Sequence, residues 1–286
     1  MRLDQFIAIQ FSLSRAKASK AVREGLVRLN GCIEKKPSKT VSEESRVEMS
    51  SVTPSSTELA EARTEGPHVV LYEDAACLII NKPQGIDVYA LLAELKEECS
   101  LPSLALAHRL DKGTSGCLLI AKNPAACDAL QAQFKERTIE KVYLAIVAGI
   151  PKEAKASIEA QIGRSLIDRK KMSLFRTGNS RTALTMYRTL ATAEKCSLLE
   201  CRIATGRTHQ IRVHLNAIGH PILGDETYGN DESRKLSEKC AITLPCLHAA
   251  SLTFVSPATG KSVAVQAPPP KTFHDAMKTL HLPQLH

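Results

Sequence analysis

The sequence predicts an α+β protein: a mixed, largely antiparallel sheet domain preceded by a small α/β module. Three observations predict this. Six short β-rich runs, VVLYED, CLIINKP, CLLIAKN, YLAIVAG, SLLECRIA and SLTFVSP, lie between Val69 and Pro257 and are bounded by turn formers. These runs do not alternate regularly with helical segments, as the strands of a doubly wound parallel sheet would. Residues 1–50 read separately as helix, basic helix and hairpin. The expected division is a module over 1–50, a linker over 51–66 and a larger domain over 67–286.

Each element has a local reason. Leu3, Phe6 and Ile7 have the spacing of a short first helix. Ser14 suits the N-cap of a second helix over 15–24, and Gly25 suits its C′ position. Ala18, Ala21 and Val22 share one face of that helix, and Arg15, Lys17, Lys20 and Arg23 spread over the other. Leu26–Leu29 and Cys32-Ile33 flank Asn30-Gly31, a hairpin turn whose two positions both need positive φ. Residues 51–66 are rich in Ser, Thr and Glu and poor in large apolar side chains, which makes a flexible tether. In the larger domain, 89–98 and 124–136 read as helices, the second with Pro124 near its first turn. Alternation along Lys141–Gly149 puts Tyr143, Ala145 and Val147 on one face of a strand.

Charge and composition exclude several classes. The chain of 286 residues has a net charge of +8. Residues 1–39 carry nine basic and three acidic residues, so most of the excess sits in the first module. An anionic partner follows, either nucleic acid or a membrane surface. No apolar run approaches the roughly 18 to 20 residues of a membrane span. Asp4, Gln5 and Gln10 interrupt any secretory segment at the start. Nine cysteines with no CxxC fit neither a disulfide framework nor a zinc ribbon. Small buried hydrophobes in a reducing cytoplasm fit them better. GxGxxG, HExxH and GxSxG are absent, and the glycine pairs with P-loop spacing are followed by Asp225 and Asn230 where Lys is needed. Neither a nucleotide cofactor nor a metal is expected.

Three stretches carry chemistry. HRLDKGTSG at 108–116 places Asp111 between Arg109 and Lys112 at a strand entrance. That setting favours an ionised, nucleophilic carboxylate, although a surface Asp in a glycine-containing turn has the same pattern. In KVYLAIVAG at 141–149, Tyr143 taken in isolation reads better as a core tyrosine with its hydroxyl bonded. TGRTHQIRVHLNAIGHPILGDETYG at 205–229 packs Arg207, His209, Arg212, His214 and His220 into fourteen residues. Such a density is costly to bury without a phosphate or a carboxylate.

These three blocks, in this order, with CLHAASLTF and PATGK over 246–261, resemble the RluA-type pseudouridine synthases over roughly 69–270. RLDQF, LSRAKASKAVREGLVRLNG, Pro37, Val41 and Arg46-Val47-Glu48 resemble the S4-type RNA-binding domain over 1 to about 50. The resemblance implies an isomerase that converts uridine to pseudouridine in RNA without a cofactor. It makes Asp111 the catalytic carboxylate, paired with Arg212, and lets Tyr143 stack on the flipped uracil. Arg109 would fill the vacated space or hold the displaced backbone. Arg15, Lys17, Lys20 and Arg23 on the basic helix, with Arg207 and His209, would contact RNA. His108, Thr114 and Ser115 would be scaffold. Two departures from the family pattern are Tyr89-Ala90 and Ser256-Pro257, each where a His-Pro pair is commoner. Large-subunit ribosomal RNA is the favoured substrate, because the appended basic module is typical of members of that kind, with transfer RNA the alternative. Outside the class stand a non-catalytic RNA-binding assembly protein and a carboxylate-nucleophile hydrolase. The expected setting is cytoplasmic, with RNA as partner and no membrane or obligatory protein partner.

Overall fold

The computed structural model describes residues 2–10, 15–23, 27–29, 32–41, 45, 47–49, 68–169, 171–175 and 177–285. The chain forms two compact units, Met1–Thr57 and Glu58–His286. The expected linker over 51–66 lies outside the described residues.

The N-terminal unit contains α1 (Leu3–Gln10), α2 (Arg15–Arg23), β1 (Val27–Leu29), β2 (Cys32–Ile33) and β3 (Val47–Met49). Ala18 and Val22 of α2 are fully buried against Leu3, Ile7, Val27, Val41 and Val47, with Ala21 packed beside them. The apolar face read from the helical wheel is therefore the face that makes the core. Arg2 donates twice to Asp4, at 3.0 Å each, at the start of α1. Strands β1 and β2 pair antiparallel with Leu29 opposite Cys32. Ser14, Gly25 and the Asn30-Gly31 turn lie outside the described residues.

The second unit runs β4 (Val70–Glu73), β5 (Cys77–Lys82), α3 (Val88–Glu98), β6 (Ala105–Leu106), β7 (Ser115–Ala121), α4 (Pro124–Glu136) and β8 (Glu140–Ala148). It continues through β9 (Lys155–Ser165), β10 (Met172–Ser173), β11 (Thr177–Ala193), β12 (Cys196–Ile203), α5 (Gln210–Ala217) and α6 (Asp231–Lys239). It ends with β13 (Leu247–Val255), β14 (Ser262–Gln266) and α7 (Lys271–Thr279). The strands form one sheet in the order β10-β9-β11-β12-β8-β13-β7-β5-β4, with β14 beside β13 and β6 beside β7. Among the described pairings β13 and β7 run parallel and the rest antiparallel, the mixed sheet expected.

Local chemistry starts the two foreseen helices where they start. The Asp87 carboxylate accepts from the Tyr89 amide at 2.9 Å and caps α3. Asn123 accepts from the Ala126 amide at 2.9 Å and Pro124 opens α4. The helices then cover opposite faces of the sheet. Leu78, Ile80, Leu118 and Ile120 pack with Leu91 and Leu95 of α3. Cys77, Ile79, Cys117, Leu119 and Ala121 pack with Ala126 and Leu130 of α4. Strand β7 is consequently buried along its whole length, which is why CLLIA reads as an unbroken apolar run.

The longest antiparallel pair, β9 with β11, was not among the expected strands. Its residues are half-exposed, alternating and polar, so they form no apolar run. Helices α5, α6 and α7 also add to the two that were expected.

The parallel contact of β7 with β13 depends on Gly116. Its φ is 109°, and a Cβ there would collide with the Ala249 carbonyl. Only glycine accepts both conditions. This contact brings the loop before β7, with Asp111 on it, beside the centre of the sheet. There β13 separates β7 from β8, the strand that carries Tyr143.

Candidate active site

A cavity of 480 Å³ opens over this part of the sheet. Asp111 enters it from the loop before β7, held by a turn in which the Thr114 amide donates to the Asp111 carbonyl at 2.9 Å. Tyr143 enters from β8 and Arg212 from α5. Three stretches distant in sequence thus meet around one carboxylate.

The geometry of Arg212 differs from the simple pair with Asp111 that was expected. Its tightest partner is Asp225, with Nε to Oδ2 at 2.7 Å and Nη2 to Oδ1 at 2.8 Å. Nη1 is left to point at Asp111 Oδ2, 3.5 Å away. Burial opposes the charge on Arg212, but the hydrogen bonds and charge of Asp225, with the charge of Asp111, outweigh it and raise the guanidinium pKa. One edge of the fork is therefore locked, and the other is presented to the cavity.

Asp225 is also the acceptor for the Thr227 and Tyr228 amides, at 3.1 and 3.2 Å. Gly224 makes that turn possible, because its φ is 77° and a Cβ would strike the Leu244 carbonyl. The Tyr228 hydroxyl accepts from the Met172 amide at 2.9 Å and bonds His209 Nδ1 at 2.7 Å. With the hydroxyl proton given to Nδ1, the imidazole proton sits on Nε2, 4.0 Å from Asp111 Oδ2. Asp111, Arg212, Asp225, Tyr228 and His209 close into a ring. His209 starts α5 with φ at 57°, a left-handed conformation uncommon outside glycine. Burial lowers its pKa, against the pull of Asp111.

Tyr143 is 8% exposed and lines the cavity, and no group among the described residues bonds its hydroxyl. Burial, then the charge of Asp111, pushes its pKa up. Lys82 is fully buried behind the site, and its ammonium donates to the carbonyls of Pro83, Ile86 and Lys112 at 2.8, 2.8 and 3.3 Å. Burial lowers its pKa to about 8, opposed by the charges of Asp111 and Asp87.

The chain matches the profile described as RNA pseudouridylate synthase over residues 76–217, and that of the S4 domain over 1–47. An uncharacterized RNA pseudouridine synthase of Aquifex aeolicus is 37% identical, covering 95% of this chain and 91% of its own. The chain belongs to the RNA pseudouridine synthase family. A ribosomal large subunit pseudouridine synthase D of Zymomonas mobilis is 36% identical, over 75% of this chain and 73% of its own. The solved structure of human RNA pseudouridylate synthase domain containing 1 superposes with a TM-score of 0.62 at 31% identity, covering 71% of this chain and 84% of that one.

In the synthase, the residues singled out from sequence divide into groups. Asp111, Tyr143, Arg212, Arg109, Arg207 and His209 all line the cavity. Arg109 is exposed at its rim, 6.0 Å from the ring of Tyr89, which is itself exposed. His214 and His220 turn away from the site. His214 is fully buried and bonds Thr185 Oγ1 at 3.0 Å, and His220 Nδ1 donates to the Ala148 carbonyl at 2.9 Å. The density of imidazoles at 205–229 therefore overstated the charge there. His108 accepts from the Leu119 amide at 3.0 Å, a scaffold contact. The side chains of Arg15, Lys17 and Lys20 lie outside the described residues, and Arg23 is exposed on α2. Asp225 and Tyr228 were missed as site residues. They stood inside the GDETYG block, but only the fold shows that they face Arg212 and His209.

The buried histidines make the synthase acid-labile in a defined window. Burial lowers the pKa of His214 to about 4, and burial with the charge of Lys141 lowers that of His108 to about 3. In the unfolded chain each takes up a proton near pH 6.5. Their stabilisation is thus fully present above that value and is lost as pH falls from about 6.5 towards 4, by about 3 kcal/mol each. Thermal melts across this range should show the midpoint falling before the carboxylates titrate. A midpoint that stays constant down to about pH 4.5 would contradict this assignment.

Proposed function

We propose that the synthase isomerises specific uridines of large-subunit ribosomal RNA, with Asp111 as the catalytic carboxylate. The observation that carries the chemistry is the free Arg212 edge aimed at Asp111 in the cavity that Tyr143 lines. The target nucleotide leaves its stack, at a cost of about a few kcal/mol, and its uracil lies on Tyr143. The Asp111 carboxylate then either attacks the anomeric carbon or removes the neighbouring ribose proton to form a glycal. The bond from that carbon to N1 breaks, and the uracil anion keeps the electron pair. The base turns and carbon 5 bonds to the anomeric carbon, as the Asp111 ester bond breaks or, on the glycal route, as Asp111 returns the proton to the ribose; the proton on carbon 5 is then lost and N1 takes up a proton. All atoms of the uridine except exchanged protons are retained, so no oxidant or energy source is consumed. Arg212 orients Asp111, and Arg109 contacts the displaced strand at the rim.

The ribosomal substrate is supported by the large-subunit relative and by the cationic helix of the S4 unit. No helix among the described residues is long and apolar enough to cross a membrane, and the proposed setting is the cytoplasm. Mapping pseudouridine in ribosomal and transfer RNA from a deletion strain tests the substrate. Loss at one or more large-subunit positions is expected, and loss confined to transfer RNA would overturn it.

The docking role of the S4 unit has its own test. Replacing Arg15, Lys17, Lys20 and Arg23 together by glutamine should weaken RNA binding. It should also reduce the slope of log affinity against log salt by about 0.7 for each phosphate that is no longer neutralised. An unchanged slope would remove the docking role from α2.

A further inference from the structure

Lys141 has no place in the chemistry above, and its environment is anomalous. It lies on β8 two residues before Tyr143, is 8% exposed and lines the same cavity as Asp111. Among the described residues no carboxylate reaches its ammonium. It lies instead over the ring of Phe134, with Nζ 5.6 Å from the centroid. A single cation–π contact returns only part of what burying an ammonium costs. The charges around it make matters worse. Burial, then the positive fields of Arg137 and Arg207, brings the Lys141 pKa down to about 8. Arg207 is itself depressed by burial and by the charges of Arg181 and Arg137. Lys141 and Arg207 line the cavity, the charge of Arg137 acts on both, and the one carboxylate among the described residues on its lining, Asp111, is paired with Arg212 and His209 rather than with any of the three. Arg207 also lines an adjoining groove of 600 Å³ with Arg181.

We propose that Lys141, flanked by Arg137 and Arg207, is a buried phosphodiester site that grips the backbone of the nucleotide turned into the cavity. The inference deepens the reading of the cavity as the place of the flipped uridine, and it rests on that reading. A phosphate there supplies the missing negative charge, accepts hydrogen bonds from an ammonium already desolvated, and relieves the repulsion among the three cations. Because Lys141 and Tyr143 project from the same face of one strand, a phosphate on the first sets the position of a base on the second. Lys141 is a positioning residue in this scheme. The phosphate is the one on the 5′ or on the 3′ side of the target nucleotide.

The experiment uses the full chain and target-bearing RNA with uracil tritiated at carbon 5. Lys141→Met should bind this RNA about 10- to 100-fold more weakly, the range expected for losing a charge-assisted hydrogen bond. It should melt at a higher temperature than wild type, because an uncompensated buried charge is gone. RNAs with a single methylphosphonate 5′ or 3′ of the target are compared, each against its own control with the same 2′-deoxy sugar. At one of these linkages the neutral group should weaken wild type by a factor similar to the substitution, yet change Lys141→Met by less than about twofold. The linkage that couples identifies which phosphate is held. Losses that multiply at both linkages, or Lys141→Met binding as tightly as wild type, would overturn the proposal. So would weak binding accompanied by a lowered melting temperature, which is the mark of a structural lysine. If wild-type protein releases no tritium from any RNA, the reading of the cavity fails, an outcome distinct from failure of the lysine site.

Discussion

Replacing Asp111 with alanine should abolish tritium release from RNA labelled at uracil carbon 5, by at least about 10⁴-fold, while RNA binding survives. The size of the effect follows from the geometry. The Arg212 edge that reaches Asp111 carries no hydroxyl or carboxylate able to take over at the ribose. His209 Nε2 is 4.0 Å from the carboxylate, and an imidazole, neutral or protonated, supplies no negative charge. Binding should persist because the proposed phosphate contacts do not involve Asp111. Asp111→Asn should be as inactive as the alanine variant, since it preserves the shape and removes the charge. Release at the wild-type rate from either variant would refute the assignment and place the catalytic group elsewhere.

The second large effect is expected at Asp225, a residue with no role in the chemical steps. Its side chain is fully buried, and that of Arg212 is 9% exposed. Asp225→Ala leaves a buried guanidinium without its bidentate partner, and two backbone amides, of Thr227 and Tyr228, without their acceptor. Breaking one side of such a pair costs about 3–5 kcal/mol. For a domain of this size that is a fall of roughly 10 °C in melting temperature. Turnover should fall as well, because nothing then turns the remaining Arg212 edge towards Asp111. A double variant, Arg212→Met with Asp225→Leu, separates the two consequences. Removing both charges should recover most of the lost stability, since an apolar pair of similar volume often replaces a buried ion pair at little cost. Activity should stay lost. If the double variant recovers turnover along with stability, Arg212 acts only as scaffold.

The two predictions differ in how far each was legible beforehand. Asp111 was visible as a carboxylate between Arg109 and Lys112 at the mouth of a strand, and the apolar run after it marked β7. The helix over 124–136 was legible for the same kind of reason, a proline opening and a periodic apolar face, and α4 starts at Pro124. Strands β9 and β11 were hidden because they are half-exposed and polar, so the hydrophobic pattern that betrays a buried strand is missing. Lys141 was invisible because nothing in its neighbours announces that an ammonium will be buried. Its depth is set by Phe134, Arg137 and Arg207, from two other segments.

The sequence by itself determined the class of the fold, the cationic helix of the first unit, the blocks that bear the chemistry and the family to which they belong. These are local properties, written in periodicity, capping residues and motif order. Only the tertiary structure decided which partner each charge takes. It gave Arg212 to Asp225 rather than wholly to Asp111, sent His214 into the core as a neutral group, and left Lys141 on the cavity wall without an ion pair among the described residues. The physical reason is that burial and ion pairing depend on approach across the sheet. Asp111 is 101 residues from Arg212 in the chain, and they meet only because β7, β13 and β8 lie side by side.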